Sequence, residues 1–92
     1  MEFEWDQAKN KRNISKHNID FRDAVLIFNN PILIKMDTRK DYKEIRWIGL
    51  GILEKIVVVV VFTKRKDKIR IISIRKANKK ERMIYYEQTN LF

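Results

Sequence analysis

Cysteine is absent from the chain. Its absence excludes a disulfide framework, a thiolate metal site and a cysteine nucleophile. Histidine occurs once, at His17, and the carboxylates are scattered beside Lys and Arg. No Asp, Glu or His ligands therefore stand at the close spacing of a metal site, and neither a metal nor a cofactor is expected. Two glycines and one proline are too few for a flexible linker. Gly49 and Gly51 sit at a strand end without the further glycines of a phosphate loop. The longest apolar run, Ile56 to Phe62, is far shorter than the roughly 20 residues of a membrane-spanning helix. The opening Met1-Glu2-Phe3-Glu4-Trp5-Asp6 mixes charged and aromatic residues, unlike a secretory signal. These features give the expectation of a cytoplasmic protein with no membrane partner.

What is present is apolar content and positive charge. Hydrophobic residues make up 45% and charged residues 36%, which excludes an intrinsically disordered chain. Ninety-two residues suffice for one domain with a modest core, expected over residues 1–92. Lys plus Arg number 21 against 12 Asp plus Glu, a net charge of +9. Such a balance favours a polyanionic partner: nucleic acid, an acidic protein or an anionic membrane.

The patterning predicts an α+β fold. Phe3–Trp5 alternates like an edge strand, and Asp6 caps a helix running to about His17. Asn18 tolerates the left-handed conformation at that helix end. Asp20 caps a second helix, with Phe21, Ala24, Val25 and Phe28 as its apolar stripe, stopped by Asn29-Asn30-Pro31. Strands follow at 32–36, 43–50, 56–63 and 69–75, the third a β-branched run reading as buried on both faces. Lys55 and Lys64-Arg65-Lys66 flank that run as charged gatekeepers. Asn78 and Glu81 have capping-box spacing and open a last helix to about Asn90. The expected architecture is a short N-terminal strand, two helices, a four-stranded antiparallel sheet and a C-terminal helix. The helices are expected on one sheet face, leaving the other open.

Candidate functional residues are basic and hydrogen-bonding groups on regular elements. Alternation places Ile71, Ser73 and Arg75 on one face of the last strand, with Ile72, Ile74 and Arg70 on the other. Arg46 sits within a strand, and charges there reach solvent or a partner. Arg70, Arg75, Lys76, Lys79, Lys80 and Arg82 fall close together. Lys9, Asn13, Lys16 and His17 form a polar stripe on the first helix, read either as a solvated face or as donors to a phosphate surface. His17 serves either as a partner of the helix C-terminus or as a proton-transfer group. One of Tyr85 and Tyr86 packs on the sheet and the other is free to reach a base or phosphate. Trp47 either joins the core or stacks on a base.

Three separated motifs then carry a resemblance. Trp5-Asp6-x-x-Lys9-x-x-x-Asn13-x-x-Lys16-His17-x-Ile19-x-Phe21-x-x-Ala24, Glu44-x-Arg46-Trp47-Ile48, and Arg70-Ile71-Ile72-Ser73-Ile74-Arg75-Lys76-Ala77 with Glu81 and Tyr85 resemble, in order, the BrnT toxins. Asn18 stands where that family usually has glycine, and Ile74 where it has alanine. The resemblance implies a RelE-like fold and a type II toxin–antitoxin system. It implies a toxin that cuts RNA, blocks translation and arrests growth. Its implied partner is a BrnA-like ribbon-helix-helix antitoxin, in a 2:2 heterotetramer that contacts DNA only through the antitoxin. The competing reading is a non-catalytic basic module that binds nucleic acid or protein.

Metal-free RNA cleavage requires a base for the 2′-hydroxyl proton, an acid for the leaving oxygen and cations for the phosphate. On that reading Arg46, Arg70 and Arg75 bind phosphate through their planar forks. Arg70 is included on the motif alone, since alternation sets it opposite Arg75. Lys76, His17 and Tyr85 are the proton-transfer candidates. Glu81 either positions one of them or only caps its helix. Lys9, Asn13, Lys16, Arg65, Ser73 and Lys79 are the expected RNA contacts.

Overall fold

The computed structural model describes residues 1–90; Leu91 and Phe92, the end of the expected domain, lie outside the described residues. The elements in chain order are β1 (Glu2–Trp5), α1 (Gln7–His17), a 3-10 turn (Phe21–Asp23), α2 (Ala24–Phe28), β2 (Leu33–Met36), β3 (Arg46–Leu53), β4 (Ile56–Arg65), β5 (Lys68–Lys76) and α3 (Lys79–Thr89). The expected caps are in place. Asp6 accepts from the Lys9 amide, and Asn18 closes α1 at φ 57°, its own amide donating to the Ile14 carbonyl. Asn78 and Glu81 form a complete capping box at the start of α3.

The fold is α+β, with a five-stranded mixed sheet in the order β1-β5-β4-β3-β2. β2 to β5 are antiparallel as expected, while β1 adds a fifth strand, parallel to β5 from Glu2↔Lys68 to Trp5↔Ile71. Strand β3 starts later than expected. Lys43 takes φ 60°, with its amide donating to the Asp41 carboxylate, and this turn keeps the segment before Arg46 out of the ladder.

The expected one-sided layering is corrected. α1 and α2 cover one sheet face, where Ile19, Phe21, Ala24 and Ile27 pack on Val58, Val60, Phe62, Ile69, Ile71 and Ile74. α3 crosses to the opposite face, where Tyr85 and Ala77 pack on Val57 and Val59. The valine run demands this outcome. Alternate residues of β4 point to opposite faces, so an unbroken apolar strand needs cover on both. The second helix also differs, since Ile27 is buried and Val25 exposed. Gly51 is required there, because a Cβ would lie 2.7 Å from Ile27 Cγ2.

α1 is docked by amides rather than by apolar side chains. Ala8 and Ile14 are exposed, while Asn10 and Asn13 are each only 6% exposed. Asn10 donates to Asp20 and accepts from the Phe21 amide. Asn13 donates to the Ile19 and Ile74 carbonyls, both 2.9 Å, and accepts from the Ile74 amide at 3.1 Å. β1 stops at Trp5, opposite Ile71, so Asn13 satisfies the next stretch of the β5 edge in place of a strand.

Asn13→Ala should therefore strand three buried backbone groups. The expected loss is roughly 2–4 kcal/mol in urea denaturation, given about 1–3 kcal/mol for each unsatisfied buried group with partial relaxation. A loss below about 0.5 kcal/mol would show that the clamp is dispensable.

Candidate nucleic-acid interface

β5 carries a bulge that decides which side chains share a face. Val61 pairs Ser73 and Phe62 pairs Ile71, leaving Ile72 as the extra residue. A bulge shifts the phase of alternation. Ile69, Ile71 and Ile74 all enter the α1–α2 core. Arg70, Ser73 and Arg75 then share the opposite face, paired with Thr63, Val61 and Val59 of β4. The strict alternation that set Arg70 opposite Arg75 is thus corrected. Arg46 also pairs Thr63, so Arg46, Thr63 and Arg70 form one row across three strands.

The arginines of this face do not converge on one point. Val59 and Thr63 are four residues apart, so Arg75 lies about 13 Å along the strand from the Arg46–Arg70 row. Each arginine also has a carboxylate neighbour. Arg70 Nη1 donates 2.7 Å to Glu4, and Arg46 Nε donates 3.2 Å to Glu44, which also meets Arg65. Burial pushes Glu44 up, yet the hydrogen bonds and charges of Arg46 and Arg65 hold it below the usual carboxylate range. The Arg46 guanidinium lies 4.1 Å from the Tyr42 ring centroid.

Arg75 makes a fork-to-fork pair with Glu81, both contacts 2.9 Å, and its Nη1 also donates to the Lys76 carbonyl. The Glu81 hydrogen bonds raise the Arg75 pKa, against burial and the nearby Arg39 charge. Arg75 in turn lowers Glu81, helped by the Asn78 amide and the Lys35 charge and opposed by burial. Glu81 therefore joins the α3 cap to the last arginine of β5.

Arg75 borders two concavities. The larger, about 830 Å³, lies between the sheet face and α3 and includes Ser73, Val59, Val61, Leu50, Lys35, Arg39, Ile84 and Gln88 in its lining. The smaller, about 430 Å³, is lined by Ser15, Lys16, His17, Asn18, Arg75 and Lys76 where α1 ends beside β5. Three of the expected catalytic residues, His17, Arg75 and Lys76, thus meet around one cavity with Lys16 and without a carboxylate in the lining. Arg46 and Arg70 belong to the separate row, and Arg65 joins them through Glu44. Lys9 and Lys79 are exposed but line neither concavity.

Two expected roles are redirected by burial. Asn13 spends its amide on backbone inside the fold. Tyr85 is 0% exposed, and its hydroxyl donates 2.7 Å to the Pro31 carbonyl, so it is the tyrosine that packs on the sheet. Burial and then Tyr86 raise its pKa. Trp47 packs against the α1–α2 core.

Sequence reasoning missed Lys35, Arg39, Ile84 and Gln88. Leu33 and Lys35 alternate onto the groove side of β2, pairing Leu50 and Ile48, a signal legible only once the register is known. Arg39 lies in a loop and is fixed by a fork onto Asp37 at 2.8 and 2.9 Å. That fork, with burial opposing, holds the fully buried Asp37 carboxyl well below its usual range. Among the described residues, no group of three or more His, Asp or Glu gathers as a metal-holding cluster. No helix there is long and apolar enough to cross a membrane.

A family model described as the ribonuclease toxin, BrnT, of type II toxin–antitoxin systems matches residues 5–81. The chain belongs to the BrnT family. A comparison with curated proteins finds no match. BrnT membership makes the chain a type II ribonuclease toxin, with RNA as substrate class and a protein antitoxin as partner. The matched span includes both walls of the smaller cavity and the Arg75–Glu81 pair.

The depressed carboxylates set the acid limit of this BrnT fold. A lowered folded pKa adds stability that is complete above the unfolded value and lost as pH falls through the folded value. For Glu81 and Asp37 the loss should begin below their ordinary values of 4.5 and 3.8. Thermal melts from pH 7 to 3 should show Tm falling below about pH 4.5. Glu81→Gln should flatten that fall; parallel curves for variant and parent would remove Glu81 from the account.

Proposed function

We propose that this BrnT chain cleaves single-stranded RNA without a metal ion, with the scissile phosphate held at Arg75 and the smaller cavity. The observation that carries this reading is the meeting of His17, Lys16 and Lys76 with Arg75. A base removes the 2′-hydroxyl proton, O2′ attacks phosphorus, the bond to O5′ breaks and an acid protonates O5′. The products are a 2′,3′-cyclic phosphate and a 5′-hydroxyl. His17 and Lys76 are the proton carriers, and Arg75 and Lys16 offset the charge that builds on the phosphate. Glu81 positions the Arg75 fork. Nη1 and Nη2 each donate to its carboxylate, Nη1 also donates to the Lys76 carbonyl, and the remaining N–H groups serve the phosphate.

Metal independence is supported by the composition of the cavities. Their titratable groups are mainly cations, and Glu81 is committed to Arg75. Arg46, Arg70 and Arg65 form a second cationic row for flanking phosphates, a spacing suited to a strand laid along β5 rather than one clamped phosphate. A RelE-like architecture over residues 1–92, and neutralisation by a BrnA-like ribbon-helix-helix antitoxin in a 2:2 complex, complete the reading. DNA contact is assigned to the antitoxin, and inhibition of translation follows from loss of message.

Arg75→Ala should lower RNA cleavage about a hundredfold or more and abolish growth inhibition, while circular dichroism and antitoxin binding are retained. Undiminished toxicity would remove Arg75 from the reaction. Cleavage by the parent chain should survive chelator, and inhibition by chelator would overturn the metal-free step. With about five phosphates contacted, log affinity for an oligonucleotide should fall with log salt at a slope of roughly −3 to −4. A flat response would contradict an electrostatic RNA surface.

A further inference from the structure

The larger groove has a composition that phosphate binding alone does not explain. Its floor is aliphatic, built from Val59, Val61 and Leu50, Lys35 and Arg39 stand in its lining, and Arg75 stands at its border with the smaller cavity. α3 presents Glu81, Ile84 and Gln88 to it, residues at i, i+3 and i+7 on one helix face. Glu81 is occupied by Arg75. Ser73 and Gln88 remain as neutral groups whose side chains make no hydrogen bond among the described residues. A flat apolar floor, neutral donor–acceptor groups and a cationic border match a nucleotide: a ring to bury, an edge to read and a phosphate to hold.

We infer that this groove receives one unstacked base of the RNA next to the cleaved bond, and that Gln88, with Ser73, reads its edge. This rests on the ribonuclease reading and adds to it the site that sets sequence preference. Arg75 borders both cavities, so a phosphate bound there brings the adjoining base to the groove within one nucleotide. A side-chain amide offers one donor group and one acceptor, the pattern that discriminates between base edges. Gln88 and Ile84 lie beyond residue 81, where the match to the BrnT model ends. The groove's cations, Lys35, Arg39 and Arg75, outnumber its one lining carboxylate, which complements the phosphates on either side of a bound base.

The test is cleavage of a randomised single-stranded RNA pool, with cut sites read by sequencing. The parent chain should prefer one base at a fixed position beside the cut. Gln88→Ala, at an exposed helix position where alanine is well tolerated, should flatten that preference about tenfold while cutting continues. Gln88→Glu, which loses the amide donors, should change which base is favoured. Preference unchanged in both variants overturns the inference while leaving the ribonuclease reading intact. Unchanged preference together with loss of neutralisation by the co-expressed antitoxin overturns it and gives the groove to the antitoxin. Absence of cleavage by the parent chain overturns the ribonuclease reading and this inference with it.

Discussion

Strand β5 has one residue more than β4 between the Val61–Ser73 and Phe62–Ile71 pairs, and the Asn13 amide grips the backbone just past that extra residue. The arrangement of the site depends on this pairing of bulge and clamp. Without the bulge, Arg70 would stand on the face opposite Arg75, as plain alternation requires. Without the clamp, the β5 edge beyond β1 would carry unsatisfied groups, and α1 would lack its main tie to the sheet. The same tie brings the α1 C-terminus, with Lys16 and His17, beside Arg75 and Lys76. A helix whose inward face is polar is thus positioned by hydrogen-bond geometry rather than by apolar burial, which fixes its register more tightly.

Electrostatics divides the basic residues into zones. Arg46 and Arg65 share Glu44, Arg70 pairs with Glu4, and Arg75 pairs with Glu81. These pairs are partly exposed, so each contributes little stability of its own. Their effect is to hold long, mobile side chains in one orientation before a ligand arrives, which lowers the entropy cost of binding. The smaller cavity differs, because no carboxylate lines it. Lys16 and Lys76 line it with no ion pair among the described residues, as Lys35 does in the larger groove.

Much of the fold was legible from local chemistry. The caps at Asp6, Asp20 and Asn78 and the left-handed Asn18 follow from side chains that bond their own backbone, and such signals are short in range. The β-branched run marked β4 as doubly buried. What escaped was long in range. Parallel pairing of β1 with β5 links residues 66 positions apart, and nothing local in Glu2–Trp5 specifies it. The polar stripe of α1 was ambiguous because an amide that docks a helix and one that meets a ligand look alike in sequence. Arg75, His17 and Lys76 were legible as candidates by residue type, whereas the place of Lys35 and Gln88 in the groove lining required the register of β2 and the crossing of α3 to the second face.

The most direct measurement is an NMR titration of the isotopically labelled chain with a short 2′-O-methyl RNA, which carries the phosphates but no 2′-hydroxyl to react. The account predicts the largest amide shifts at residues 15–18, 73–76 and 81–88, together with a shift of the Arg75 Nε–Hε resonance. Shifts confined to the α2 face, or an Arg75 resonance unmoved at saturation, would contradict it.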